Sequence, residues 1–174
     1  MADQTVVYEF EIKLCNLEDK YWRRIEITSV STVAKLAYAI MASFELSGSH
    51  SFCVENKNVF FEFYNGDNEN SRKPSDYELF NLELSVGSKL KMMYDFGVDL
   101  NFEIKLTAIK EMKKGMGTHY PYVLSGAGAV IPEDLSVPEL VERLDREYKE
   151  YDCESDNALL KGKMQILKNQ YESK

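Results

Sequence analysis

An uninterrupted alternation near the N-terminus is the sequence feature that most constrains the fold. In residues 6–14, apolar side chains occupy every second position, and charged side chains stand at positions 9, 11 and 13. The apolar series is Val6, Tyr8, Phe10, Ile12 and Leu14. Because successive side chains of an extended chain point to opposite faces, the segment predicts a β-strand with one buried and one solvated face.

The residues that follow predict a hairpin and then a helix. Residues 22–30 predict a second strand, and the short polar link at 16–20 favours an antiparallel pairing with the first. Ser31 or Thr32 then suits a helix N-cap, and apolar residues recur at helical spacing up to Phe44. The sequence therefore predicts that the main helix packs on the sheet begun by the hairpin.

Further strands complete the predicted sheet. They are expected at residues 51–54, 59–64, 89–96 and 101–109, with a polar loop at 65–75 and one helical turn within 76–84. The order strand-strand-helix-strand-strand-strand-strand indicates an α+β fold, with a mixed or antiparallel sheet in a β-grasp-like arrangement.

Two helices are predicted at the C-terminal end of the chain. Pro138 suits the first turn of one helix, and residues 157–171 predict another, although Gly162 weakens the second. We expect residues 138–174 to form a helical extension that packs on the sheet, within a single domain of residues 1–174.

Charge and composition restrict the classes of partner. The chain has 174 residues and a net charge of −8, which disfavours binding to nucleic acid or to an anionic membrane. No apolar run approaches the roughly 20 residues of a spanning helix, and the first ten residues lack the pattern of a signal peptide. The three cysteines are far apart in sequence, which is typical of reduced thiols. These features predict a cytoplasmic protein.

Several segments carry a family resemblance in a fixed order. They are Tyr21-Trp22-Arg23-Arg24-Ile25, the helix at 32–44, His50-Ser51-Phe52, Tyr94-Asp95-Phe96-Gly97, Tyr120-Pro121, Gly126-Ala127-Gly128-Ala129 and Pro132-Glu133-Asp134. Together they resemble the plasmid pRiA4b ORF-3-like family over residues 8–135. Members of that family are also described as passenger proteins of insertion elements, so the resemblance implies a mobile-element context. It implies no established reaction.

The chain departs from the family pattern at informative positions. Val98 stands where the family has an acid, Leu100 where it has a tryptophan, and Phe102 where it has a histidine. Val130 and Ile131 precede Pro132 where the family has a cysteine and a further proline, and Ser136 and Val137 replace two glycines. If relatives use that histidine and cysteine together, we expect this chain to lack the same chemistry.

Four acids are the candidates for a carboxylate cluster. Asp95, Asp99, Glu133 and Asp134 could together hold Mg²⁺ or Ca²⁺, or act as acid and base. In a local interpretation, Asp95 and Asp99 bind the backbone of their own turn, and Glu133 and Asp134 cap a helical turn. The sequence alone does not show whether the two segments meet.

The basic residues, histidines and glycines allow fewer inferences. Arg23 and Arg24 lie on opposite faces of one strand, so one could pair with Asp95 or Glu133 while the other faces solvent or an anion. His50 and His119 have no zinc-motif spacing, and His50 is expected to begin a strand. Residues 125–129 are predicted to form a flexible connection, and residues 110–114 a solvated basic loop.

These observations lead to one main functional hypothesis and two alternatives. The main hypothesis is a non-enzymatic binding domain with an unknown protein partner and with no cofactor, metal or catalytic residue assigned. Its surface would lie where residues 94–100 approach residues 120–134. The candidate binding residues are Arg23, Arg24, Tyr94, Asp95, Asp99, Tyr120, Glu133 and Asp134. The alternatives are a metal-assisted hydrolase that uses the carboxylates, and a DNA-associated accessory factor.

Overall fold

A computed structural model describes residues 4–64 and 68–173, so the first three residues of the predicted 65–75 loop lie outside the described residues. The strands are β1 (Val6–Leu14), β2 (Trp22–Thr28), β3 (Phe52–Asn56), β4 (Val59–Phe61), β5 (Ser71–Arg72), β6 (Lys89–Tyr94), β7 (Leu100–Glu111) and β8 (Tyr122–Ala127). The α-helices are α1 (Val33–Ser43), α2 (Val137–Glu147) and α3 (Cys153–Glu172).

The strands form one mixed sheet of eight strands in the order β5-β4-β3-β6-β7-β1-β2-β8. All neighbours pair antiparallel except β4 and β5, which are parallel. The predicted α+β class is confirmed. The structure does not confirm the β-grasp-like arrangement, because the sheet is larger than the six predicted strands.

The alternating segment occupies the interior of the sheet, between β7 and β2. Its apolar residues are buried except for the half-buried Val6, and the charged side chains at 9, 11 and 13 are also only partly covered. On that second face, Glu9 accepts bonds from Lys110 Nζ at 2.7 Å and from the Thr107 hydroxyl at 2.9 Å. The predicted bounds of this strand are confirmed as Val6–Leu14.

Helix α1 covers the apolar face. Thr32 is the N-cap, and its hydroxyl accepts from Lys35 N at 3.0 Å. All of its residues except Lys35 are buried, and the apolar ones join the same cluster as the inward residues of β1, β2 and β7. Burial on every side follows from the position of α1 between the sheet and α3, with which it is in contact.

The prediction of a flexible connection at residues 125–129 is wrong. Most of this segment belongs to the edge strand β8, which pairs antiparallel with β2. Its glycines conceal the alternation that identifies a strand from sequence. The side chain of Asn157 in α3 accepts from Val123 N and donates to Val123 O, both at 2.8 Å, so α3 covers part of this edge.

The other boundaries differ by a few residues. Strand β7 continues to Glu111, so the predicted basic loop begins as a strand, and the predicted turn within 76–84 is a short 3₁₀ helix at Leu79–Leu82. The two C-terminal helices are confirmed, and α3 begins four residues before its predicted start at 157. None of the helices in the described ranges is long and apolar enough to cross a membrane. The single-domain assignment stays a prediction.

Candidate metal centre

The tight corner between β6 and β7 places one carboxylate inward. Asp95 has a φ of 61°, and its carbonyl oxygen accepts bonds from Val98 N at 3.1 Å and Asp99 N at 2.8 Å. Asp adopts this left-handed conformation more readily than most residues. Asp95 Oδ1 accepts from Gly97 N at 3.1 Å. The second carboxylate oxygen, Oδ2, is therefore left to face another group.

The loop between α1 and β3 brings His50 to this corner. The Tyr171 hydroxyl of α3 donates to the carbonyl oxygen of His50, and the imidazole lies edge-on to the Tyr94 ring at 5.7 Å between centroids. Gly48, two residues earlier, has a φ of 79°, and a Cβ there would lie 2.5 Å from Leu167 Cδ2. Close packing against α3 therefore fixes the position of the histidine backbone.

A third segment, after β8, completes the arrangement. Ile131 is buried, and its N–H donates to the Phe44 carbonyl at 3.1 Å. Glu133 then accepts bonds from Ser47 N and from the hydroxyls of Ser47, Ser49 and Tyr94, with the hydroxyl distances at 2.9, 3.1 and 3.2 Å. These bonds fix the segment against the His50 loop.

The three segments converge on one point. His50 Nε2 lies 2.8 Å from Asp134 Oδ1 and 3.4 Å from Asp95 Oδ2, and one ligand atom from each of the three residues lies within 4.8 Å of the others. The side chain of Asp95 is 10% exposed, that of His50 31% and that of Asp134 74%. The cluster is therefore closed on the sheet side and open to solvent through Asp134.

Comparison with known proteins gives the chain a family. The sequence model for the family described as plasmid pRiA4b ORF-3-like protein matches residues 6–162. The chain belongs to the plasmid pRiA4b ORF-3-like family. The resemblance predicted from the ordered motifs is thus confirmed.

A solved structure supports the fold of this pRiA4b ORF-3-like chain. It is the crystal structure of the protein of unknown function MM3350 from Methanosarcina mazei Go1, with a TM-score of 0.73 and 21% sequence identity. The match covers 88% of this chain and 97% of that one. At this identity the likeness shows the fold alone. The comparison with curated proteins gives no match.

Four of the eight candidate binding residues meet in space in this family member. Tyr94, Asp95, Glu133 and Asp134 lie together, which joins the 94–100 corner to the end of the 120–134 segment. Asp99 belongs to the same corner but is exposed, and it is not a member of the cluster found in residues 4–64 and 68–173. Tyr120 instead lines a separate cavity.

The two arginines lie away from the cluster, and their ion pairs differ from the expected ones. Arg24 is exposed and lies 3.6 Å from Glu9. Arg23 is fully buried, and burial lowers its pKa to about 10. In the part of the chain that the structure describes, neither arginine pairs with Asp95 or Glu133.

Arg23 instead has a structural role in the pRiA4b ORF-3-like fold. Its guanidinium donates to the carbonyl oxygens of Ser43 at 2.6 Å, Ala127 at 2.8 Å and Gly128 at 2.7 Å. It also lies between the rings of Phe44 and Tyr151, with the guanidinium carbon 4.0 and 3.6 Å from the centroids. The first acceptor is the last residue of α1, so Arg23 satisfies a helix C-terminus as well as two strand-end carbonyls.

Sequence reasoning missed His50 as a site residue. The residue precedes a strand in a loop with no metal-ligand spacing, so no local pattern identifies it. The available signal was the family resemblance, in which a histidine precedes aromatic residues at this place. Phe102, at the family's other histidine position, is buried and stacks on Phe44 at 5.5 Å between centroids.

Proposed function

We propose that this protein is a non-enzymatic binding domain whose ligand is a divalent metal ion, held by His50, Asp95 and Asp134. One observation carries the proposal: an imidazole nitrogen and two carboxylates, from three separate segments, have ligand atoms within 4.8 Å of one another. Imidazole and carboxylate are both common metal ligands. A hydrogen bond between one imidazole and one carboxylate would account for only two of these three residues.

The spacing is compatible with an ion after a small adjustment. Ligand atoms bound at about 2.1 Å lie about 3.0–3.4 Å apart in octahedral or tetrahedral geometry. The 3.4 Å between His50 Nε2 and Asp95 Oδ2 already matches this spacing, and the 2.8 Å to Asp134 Oδ1 is a direct hydrogen bond. The Asp134 side chain is exposed, so it can move outward as the ion replaces the shared proton.

The mixed donor set favours a first-row transition ion. A nitrogen with two carboxylate oxygens suits Zn²⁺ or Mn²⁺, whereas Mg²⁺ and Ca²⁺ prefer oxygen ligands throughout. Three protein ligands leave at least one coordination position for water or for a group from a partner. We therefore expect Zn²⁺ to bind more tightly than Mn²⁺, and both to bind more tightly than Mg²⁺.

The surroundings favour binding over metal-assisted hydrolysis. Hydrolysis needs a general base with a free lone pair near the metal-bound water. Glu133 is the carboxylate next to Asp134 in sequence, and four donors from Ser47, Ser49 and Tyr94 already engage it. This arrangement suits a residue that fixes a loop, so the hydrolase stays a secondary hypothesis.

Titration calorimetry on the purified chain tests the proposal with Mn²⁺ first and Zn²⁺ second, because the three thiols can bind Zn²⁺ on their own. We compare Asp95→Asn with Asp99→Asn, a matched acid on the same corner. Both positions have a positive φ, which Asn tolerates. We expect one site per chain, lost in Asp95→Asn and retained in Asp99→Asn. Equal affinity in both variants, or no binding of either ion at millimolar concentration, would overturn the proposal.

A second candidate function is contact with a protein partner at the same corner. Phe96 follows Asp95 directly and is 48% exposed, and large exposed aromatic residues are typical of interface centres. Affinity purification should recover the same partner with wild-type protein and with Val86→Ala, a change in another exposed turn, but not with Phe96→Ala. A partner retained by Phe96→Ala would place the contact elsewhere.

A further inference from the structure

A cavity of about 650 Å³ lies between the start of α1, the part of α3 from Lys161 to Glu172, and the segment that leads to β8. Its lining includes Lys35 and Tyr38 of α1, Lys161, Lys168 and Glu172 of α3, and Tyr120. The lining includes no residue of the candidate metal centre. The volume falls within the range of about 300–1,000 Å³ that is usual for small-molecule sites.

The cavity carries a positive charge in an acidic protein. Three lysines and one glutamate among its lining residues give a formal charge of +2, whereas the whole chain carries −8. Burial lowers the pKa of Lys35, and the charges of Lys161 and Lys168 lower it further, so each of these two charges repels the Lys35 amine. Such repulsion is unfavourable unless an anion binds between them.

Among the described residues, no carboxylate forms an ion pair with the lysine side chains of the cavity. Within residues 4–64 and 68–173, neither Lys35 nor Lys168 forms an ion pair, and Lys161 donates to the carbonyl oxygen of Thr118. The carboxylate of Glu172 accepts from the Tyr38 hydroxyl at 2.8 Å. The amines therefore remain available to an added anion.

The start of α1 contributes little to this attraction. Val33 N already donates to the Tyr77 carbonyl at 2.9 Å, and Lys35 N donates to the Thr32 hydroxyl at 3.0 Å. The rest of the wall combines polar side chains, mostly of Ser and Thr, with an apolar and aromatic surface formed by Val30, Met112, Tyr120, Pro121 and Met164. The cavity thus offers amines for an anion and an apolar surface for the remainder of the same molecule.

We propose that this cavity binds a small organic molecule that carries a phosphate group, with Lys35, Lys161 and Lys168 around the phosphate. A dianionic phosphate matches the surplus charge of +2, and its oxygens accept bonds from several amines at once. A long nucleic acid fits less well, because the remaining surface of the chain is acidic and the cavity has the size of a small ligand.

Titration with inorganic pyrophosphate tests this inference, in EDTA so that the candidate metal centre takes no part. Binding is followed by ¹H–¹⁵N chemical shifts at constant ionic strength. We compare Lys35→Gln and Lys168→Gln with Lys105→Gln, which removes an equal charge from an exposed position on β7. We expect shifts grouped at residues 35, 161 and 168, about tenfold weaker binding in the two cavity variants, and no more than about a twofold change in the control.

Any of three results in the pyrophosphate titration would overturn the inference. The first is the absence of binding at about 10 mM pyrophosphate, a concentration at which even a weak site is occupied. The second is a set of chemical-shift changes located outside the cavity. The third is an equal loss of pyrophosphate affinity in all three variants. Tighter binding of a single-stranded oligonucleotide than of pyrophosphate, with the same shifts, would also overturn the small-molecule assignment. Shift mapping on the wild-type protein gives an answer even if a variant folds poorly.

Discussion

Arg23 Nη2 donates to the carbonyl oxygen of Gly128 at 2.7 Å, and this bond joins the second strand to the segment that follows the last strand. Both residues belong to segments that carry the family resemblance. The glycines of the second segment leave room for the first segment, which packs against them. A Cβ on Gly126 would lie 2.9 Å from Arg23 Cδ, and one on Gly128 would lie 2.4 Å from the Tyr21 ring.

Gly128→Ala is expected to destabilise the protein strongly. The φ of Gly128 is 75°, and an added Cβ would also lie 2.5 Å from the Lys20 carbonyl oxygen. The unfolding free energy should fall by about 2 kcal/mol or more. Gly162→Ala is the control, because this glycine lies in α3 with open space around it. Helix propensity predicts that the control gains about 0.5–1 kcal/mol. Urea denaturation measures both changes, and two changes of the same sign would contradict this account.

Replacement of the two adjacent arginines should have unequal effects. Arg23→Met leaves the buried carbonyl oxygens of Ser43 and Gly128 without their donor, so we expect a loss of about 3 kcal/mol or more. Arg24→Met removes only an exposed contact with Glu9 and should change stability by less than about 1 kcal/mol. Chemical denaturation of the pair tests the structural role of Arg23. Similar losses for both would show that Arg23 is not the buried anchor of this junction.

The sequence predicted those parts of the fold in which burial follows a simple period. The strand Val6–Leu14 is one example, and the helix cap, predicted at Ser31 or Thr32 and found at Thr32, is another, since alternation and a hydroxyl before an apolar run are local signals. Strand β8 was missed because Gly126 has no side chain to show a face. The partner of Asp95 and Asp134 was missed because His50 reaches them only through the packing of Gly48 and Tyr171, which lie on different elements.

Glu133→Gln should weaken metal binding although Glu133 is not one of the three residues proposed to bind the metal ion. An amide in place of the carboxylate cannot accept at both of its ends, so some of the bonds from Ser47, Ser49 and Tyr94 are lost and Asp134 is held less firmly. We expect about tenfold weaker affinity for Mn²⁺ by calorimetry, as is usual for groups that orient metal ligands. Glu142→Gln, an exposed residue on α2, is the control and should leave the affinity unchanged. An unaltered affinity in Glu133→Gln would show that the loop needs no such fixing.

Asp156 should make stability depend on pH. Burial raises the pKa of this carboxyl group, although the Tyr151 hydroxyl and the charge of Arg23 act in the opposite direction. The folded protein therefore holds the proton more tightly than the unfolded chain does. The protonated Asp156 carboxyl group stabilises the folded protein. This stabilisation is fully present below the pKa of the group in the unfolded chain, and it is lost as pH rises through the raised pKa of the group in the folded protein. Removal of the charge by Asp156→Asn should consequently be more favourable at neutral than at acidic pH.

Thermal unfolding of Asp156→Asn and wild-type protein over about pH 4–7 measures this effect across the range in which a raised carboxyl pKa acts. The difference in midpoint between variant and wild type should move in favour of the variant as pH rises. Asp145→Asn, an exposed position on α2, should show no such trend. Because Asp156 accepts from the Tyr151 hydroxyl, and the Tyr151 ring stacks on Arg23, a difference that moved against the variant would mean that the ionised carboxylate stabilises this buried junction.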